Sequence, residues 1–306
     1  MADSYAAIGL SCPRIPCVPV TGLCEKERGI LEAVLAHLSE LVRFRELLWN
    51  LVVRDLKVRY KNSVLGVLWS WLNPLFMMVV YTVVFTVMRR STNGSISDRH
   101  YPIVVLSALL PWNFFAASVA QSIGCIVENA NLVKKVYFPR EILPLSVVVA
   151  NLINFAISLL VLFPMLLAFR VRLTPWVLFV PVVTAIQVCF VAGVCLLLST
   201  LHVFYRDARA VMDVALMAWL FVTPVFYPID VLPRSQEILG FTVDIHRWTR
   251  ILNPMASVIA TYQDVLYYGR PVGLDFLART AVTALAILIL GYAVFYRYSR
   301  RFGEEI

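Results

Sequence analysis

This 306-residue sequence predicts an all-α integral membrane fold with six transmembrane helices per protomer, and three observations carry the prediction. Hydrophobic side chains make up 60% of the chain and charged ones only 15%, where a soluble domain carries about 25% charged residues. Mean hydropathy is +0.78. Long uncharged runs follow one another, most of them able to cross a hydrocarbon core of about 30 Å. Lys and Arg gather in the segments that a six-pass path leaves on one side, which places both termini in the cytoplasm. The net charge of +8 therefore suits anionic lipid at the inner face. It is spread around apolar runs, so it gives no separate nucleic-acid-binding domain.

Residues 1–28 are predicted to form a flexible tail. Pro13, Pro16 and Pro19 alternate there with Cys12 and Cys17, and no basic stretch leads into an apolar core, so the segment does not read as a secretory signal peptide. Cys12, Cys17 and Cys24 are spaced too widely for a compact zinc knuckle. Residues 29–63 are predicted to form an amphipathic interface helix on the cytoplasmic side. Leu38, Leu41, Leu48, Val52, Leu56 and Tyr60 fall near one stripe, interrupted by Arg45, and Trp49 suits the headgroup depth. A helix packed on a soluble partner is the alternative reading.

Residues 64–306 make up the six-helix transmembrane domain. The first run, Gly66–Met88, reaches about 35 Å as a helix; Lys57, Arg59 and Lys61 precede it, and Arg89 and Arg90 follow. The second extends from Tyr101 to Val127 and opens on Pro111, Trp112, Phe114 and Phe115, which suit either a conduit wall or an interfacial belt. A polar loop, Glu128–Glu141, comes next, with a short helix for which Asn129 or Asn131 is available as a cap. The third run, Ile142–Phe169, carries Asn151, Asn154 and Ser158, polar groups that should face other helices or water. A tight turn at Arg170–Thr174 leads to the fourth run, Leu173–Tyr205. The fifth, Val214–Ile229, is only just long enough to span, and Pro224 and Pro228 should kink or unwind its end. Ile251–Gln263 is too short to cross and reads as part of a re-entrant or interfacial helix pair. Thr280–Tyr296 is the sixth span.

Several chemistries are missing. No GxxxxGK followed by Ser or Thr occurs, and neither HExxH nor GxSxG is present. His37, His100, His202 and His246 are scattered over separate segments, so no metal site is expected. The spans carry no paired carboxylates of the kind an ion-driven carrier uses. Power for any transport must come from elsewhere.

Four motifs carry a family resemblance. RYKNSVLGVLWSWLNPL at Arg59–Leu75 resembles the signature entering the first span of bacterial ABC exporter permeases for lipid-linked polysaccharides: O-antigen, capsule and teichoic acid. ENANLVKKVYFPREILPL at Glu128–Leu145 is similar to that family's cytoplasmic loop between spans two and three. FYRDAR at Phe204–Arg209, and TPVFYP at Thr223–Pro228 followed by Asn253–Pro254, resemble the family in order and spacing. The likeness covers roughly residues 40–306.

The resemblance implies a homodimeric permease in the bacterial inner membrane, joined by two copies of a separate ATPase subunit that binds ATP and Mg, with no cofactor in this chain. The implied coupling residues are Asn129, Leu132, Lys134, Lys135, Phe138, Pro139 and Arg140; basic residues touching lipid are the alternative. Spans one and five are implied to form the side opening for the lipid anchor. Trp69, Trp71, Phe76, Tyr81, Phe85, Trp219, Phe221 and Phe226 are channel-lining or gate candidates, with lipid contact or helix packing as the alternative. Lys57, Arg59 and Lys61 are candidates for holding the lipid diphosphate, and Asp230–Tyr268 corresponds to outer gate helices. The resulting expectation is a transport subunit, not an enzyme, that translocates an undecaprenyl-diphosphate-linked polysaccharide or teichoic-acid polymer. A drug or smaller-lipid exporter, and a membrane enzyme acting on lipid-linked sugars, are the alternatives.

Overall fold

The computed structural model describes residues 43–60, 72, 75–77, 79–80, 83–84, 101–171, 174–226, 236–238, 241–243, 253–271 and 273–306. Every named element lies within Phe44–Ile306. In order these are α1 (Arg45–Tyr60), α2 (Tyr101–Glu128), α3 (Ala130–Lys135), α4 (Ile142–Ala168), α5 (Val180–Phe204), α6 (Ala208–Val222), β1 (Gln236–Ile238), β2 (Phe241–Val243), α7 (Pro254–Gln263), α8 (Leu274–Ser299) and α9 (Phe302–Glu305). A 3-10 turn, Pro175–Phe179, leads into α5, and a π turn, Asp264–Tyr268, extends α7. Among the described residues, four helices are long and apolar enough to cross a membrane: Ile103–Glu128, Ile142–Ala168, Pro175–Phe204 and Leu274–Ser299.

α2 is the central helix: 78% of its apolar window is buried inside the protein, against 22% for α8. It packs on α4, α5, α6 and α7. Burial of its aromatic side chains shows why. Phe115 meets Phe190 of α5 and Trp219 of α6, with ring centroids 5.7 and 5.1 Å away, and Phe114 stacks on Phe155 of α4 at 5.4 Å. Pro111 lies inside α2 and cannot donate to the preceding turn; its own carbonyl accepts from the buried Gln187 Nε2 at 2.7 Å. Ser107 and Ser122 donate to carbonyls three residues back, which satisfies their hydroxyls in apolar surroundings.

α5 and α8 make the most extensive helix pair. In lipid, apolar burial contributes little between helices, so close backbone approach holds them together. Gly193 and Gly291 provide it. A Cβ on Gly291 would lie 2.3 Å from the Gly193 carbonyl oxygen, and one on Gly193 would lie 2.7 Å from the Ile287 backbone.

Helix ends follow local chemistry. α4 stops at Ala168 in a Schellman arrangement: Arg170 takes φ 57°, its N–H donates to Leu167, and the Val171 N–H donates to Leu166. α6 differs from the predicted fifth run. It begins at Ala208, ahead of Val214, and ends at Val222, because Thr223 precedes Pro224 and takes an extended conformation. Its 15 residues reach about 22 Å, short of a full crossing. α7 starts on Pro254, with Asn253 Oδ1 accepting from the Ala256 N–H at 3.2 Å. Every residue from Met255 to Gln263 is buried, and Gly269 at φ 62° ends the π turn. The predicted outer helix pair thus contains one buried helix, and an antiparallel β1–β2 hairpin precedes it. The tail, most of the first run and the Ser91–His100 turn lie outside the described residues.

Candidate functional site

Four separate segments meet at the end of the bundle where α2 finishes. α2 gives way to α3 at Asn129, which occupies the expected cap position without capping α3 by its side chain. Instead its Nδ2 donates to the Cys125 carbonyl at 2.7 Å, and its Oδ1 accepts from Arg54 Nη1 of α1 at 2.9 Å. The side chain closes α2 and ties it to α1. Arg54 also bonds Asp55, at 2.9 Å. One residue earlier, Glu128 pairs with Arg209 of α6 at 3.1 Å. Gly124 leaves room for that pair, since a Cβ there would lie 2.7 Å from Glu128 Oε1.

The loop beyond is anchored by apolar side chains and presents its charges outward. Val133 and Phe138 are buried, and Leu132 and Pro139 are half-buried. Lys134, Lys135 and Val136 are exposed, and Tyr137 is 97% exposed. Arg140 turns inward. Its Nη1 donates to the Ser299 carbonyl at the end of α8, and its guanidinium lies 6.0 Å from the Phe302 ring centre. Burial pushes this guanidinium below its ordinary pKa, and Glu141 pulls it back up. Of the implied coupling residues, Lys134 and Lys135 are thus free at the surface, whereas Arg140 and Asn129 fasten the loop to its neighbours.

Among the candidates for holding a lipid phosphate, Lys57 is exposed and Lys61 lies outside the described residues. Arg59 Nη2 donates to Gln121 Oε1 at 2.9 Å and to Asn151 Oδ1 at 3.0 Å. Asn151 Nδ2 reaches Gln121 Oε1 at 3.2 Å and the Val147 carbonyl at 3.0 Å. Two clefts, of ≈ 390 and ≈ 490 Å³, open beside this cluster, and Arg59 lines both.

Of the aromatic candidates, Trp69, Trp71, Tyr81 and Phe85 lie outside the described residues. Phe76 and Phe221 are exposed, and Phe226 is packed against the core. Trp219 is half-buried against the core. Its Nε1 donates to Asn253 Oδ1 at 3.0 Å, and Asn253 Nδ2 donates to Thr223 Oγ1 at 2.8 Å. The cap of α7 is therefore tied to the last turn of α6. Sequence reasoning flagged Asn151 as needing a polar neighbour, but it missed Arg54, Gln121, Glu128, Arg209 and Asn253 as structural partners. Their only signal was a polar side chain at the edge of an apolar run. Among the described residues, no three His, Cys, Asp or Glu side chains converge to hold a metal.

The chain is 34% identical over 272 residues to the O-antigen export system permease protein RfbA of Myxococcus xanthus, covering 87% of this chain and 98% of that protein. Identity to the Klebsiella pneumoniae protein of the same name is 30% over 260 residues, covering 85% and 94%. The polysialic acid transport protein KpsM of Escherichia coli is 21% identical over 254 residues, covering 80% and 90%. Residues 46–243, from α1 through the β1–β2 hairpin, match the family described as ABC-2 type transporter, and the chain belongs to that family.

Proposed function

We propose that the protein is the membrane permease of an ATP-driven exporter that carries an undecaprenyl-diphosphate-linked, O-antigen-like polysaccharide, or a related teichoic-acid polymer, across the bacterial inner membrane. The observation that carries this reading is the similarity to an O-antigen export permease over 98% of that protein's length. Two copies of this chain pair with two copies of a separate ATPase subunit, which binds ATP and Mg. The exposed loop at Lys134–Tyr137 is the docking element. A short helix held at both ends can pass rigid-body motion to what it touches, and this one is linked to α1 through Asn129, to α6 through Glu128 and to α8 through Arg140.

The reading includes six passes with both termini cytoplasmic. Support comes from connectivity. Arg54 of α1 meets Asn129 beyond the end of α2, whereas α2 begins at the opposite end of the bundle. α8 finishes beside Arg140, at the same end as α3. The test is reconstitution. Vesicles holding this chain and its ATPase subunit should hydrolyse ATP and move the glycolipid to the far leaflet. Glycolipid movement by the permease alone, or none by the pair, would overturn the proposal.

A further inference from the structure

We infer that α8 rocks on its crossing with α5, so that displacement of the docking loop at the inner face swings the outer end of α8 across α7. That an ATPase subunit displaces the loop is the function proposed above; the rocker itself rests on geometry.

Of the four membrane-length helices described, α8 is held least by the rest of the bundle. α2 is 78% buried along its apolar window and carries Pro111, and α4 is 44% buried and carries Pro164. α8 has no interior proline over its 26 residues, about 39 Å, and is 22% buried. Its buried residues, Leu277, Thr280, Ala284, Gly291 and Phe295, fall on one seam at helical spacing. Val282, Leu285, Ile289 and Leu290 are exposed. A helix gripped along one seam can tilt as a body, where one packed on all sides cannot.

Three contacts divide that seam into two arms and a pivot. At the inner end, Arg140 of the loop donates to the Ser299 carbonyl, one of those a helix C-terminus leaves without an intrahelical donor and where a cation is favoured. The same guanidinium faces Phe302, whose ring packs on Phe295 of α8 with centroids 5.3 Å apart. Loop and helix end therefore move together. At the crossing, Gly291 lies directly on the Gly193 backbone of α5, with no side chain between them to resist rotation. At the outer end, Thr280 Oγ1 donates to Ser257 Oγ of α7 at 2.7 Å.

α7 is moored elsewhere. Asn253 ties its start to Trp219 and Thr223 at 3.0 and 2.8 Å, and the Tyr262 hydroxyl lies 2.7 Å from Thr184 Oγ1 of α5. Shear between α8 and α7 therefore falls on the Thr280–Ser257 contact, a single hydroxyl bond that can break and re-form. Helices that slide past one another move by about 2 Å; with arms of about 12 Å from Gly291 to Ser299 and about 16 Å to Thr280, that shift at the loop becomes about 3 Å at α7, in the opposite direction.

The experiment places Ser257→Cys and Thr280→Cys in a permease whose six native cysteines are replaced, Cys12, Cys17 and Cys24 by Ser and Cys125, Cys189 and Cys195 by Ala. The complete permease–ATPase complex in nanodiscs is oxidised with copper phenanthroline, and the linked peptide is quantified by mass spectrometry. From the nucleotide-free to the vanadate-trapped complex the yield should fall at least about threefold, because a shift of about 3 Å takes the pair out of disulfide reach. Arg140→Gln should make the yield insensitive to nucleotide. So should Phe302→Ala, which frees the same end of α8 without altering the exposed face of the loop. In vesicles, the closed disulfide should stop glycolipid export and dithiothreitol should restore it. Equal yields in the two states, a nucleotide response that survives in both variants, or export undiminished by the disulfide would each overturn the rocker. Export by the reduced complex is measured alongside: its absence strikes the proposed function, whereas export accompanied by any of those three results strikes the rocker alone.

Discussion

Replacing Gly291 by alanine should loosen the α5–α8 pair measurably, and the size of the effect follows from geometry. The new Cβ would stand 2.3 Å from the Gly193 carbonyl oxygen, with that residue's carbonyl carbon at 3.0 Å. Ordinary contact begins at 3.4 Å, so the two backbones must part by about 1 Å at their crossing, and densely packed interiors do not absorb such a shift locally. Overpacking of this kind costs about 1–3 kcal/mol, which for a chain of this size lowers the unfolding midpoint by about 2–6 °C. The assay is heating of the detergent-solubilised permease with a thiol-reactive dye in a Cys12→Ser, Cys17→Ser, Cys24→Ser, Cys189→Ala background, because Cys125 and Cys195 are buried and react only once the bundle opens. Gly273→Ala is the control: its Cβ would meet nothing nearer than Phe276 Cδ2 at 3.4 Å, and the midpoint should hold. Gly193→Ala crowds the same crossing, its Cβ 2.7 Å from the Ile287 backbone; once one substitution has parted the helices the second meets less resistance, so the double variant should lose less than the two single losses combined. Equal midpoints for Gly291→Ala and Gly273→Ala, or full additivity of the two crossing variants, would refute the reasoning.

Charge reversal by Lys134→Glu with Lys135→Glu should cut ATP-driven export at least about tenfold while the permease still inserts, and unchanged export would remove both lysines from docking. Arg209→Glu should lower the glycolipid moved per ATP hydrolysed, and adding Glu128→Arg should restore it. Because those side chains are 55% and 60% exposed, neither change should alter stability by more than about 1 kcal/mol; a double variant no better than the single would separate this pair from coupling. Asn253→Ala should destabilise by about 1–3 kcal/mol, since it deletes the α7 cap and strands the Trp219 N–H, and Asn253→Asp, which keeps an acceptor, should recover part of the loss in the same melting assay. Tyr137→Cys should react with a membrane-impermeant maleimide in inverted vesicles and resist it in intact spheroplasts, the reverse pattern contradicting the proposed orientation.

Absence of charge over about 20 residues is a signal written along one dimension, and four of the runs it announced are helices among the described residues. The runs starting at Tyr101 and Ile142 became α2 and α4 within a residue of either end, whereas those at Leu173 and Thr280 became α5 and α8, which start at Val180 and Leu274. α6 was harder to read because its first turns carry Arg209 and Asp213, which a hydropathy scan treats as a boundary and a helix does not. The hairpin at Gln236–Val243 gave no alternating pattern, and the stretch had been assigned to gate helices. The site was less legible for a different reason. Arg54 and Asn129, Glu128 and Arg209, and Arg59 and Asn151 stand 75, 81 and 92 residues apart, so no local spacing joins them. The loop motif singled out Lys134 and Lys135, which are exposed, but not Tyr137 beside them. Trp219, picked out for its ring, serves equally as a donor to Asn253.

The last residues of the chain are wedged in place: Phe302 is fully buried, between Phe204 and Phe295 at 6.2 and 5.3 Å, with Arg140 above it. Anything fused behind Ile306 will consequently emerge next to the stretch proposed to receive the motor. A purification handle or fluorescent reporter attached there will crowd the power stroke or pry the wedge loose, and fusions meant to report turnover should carry their labels elsewhere.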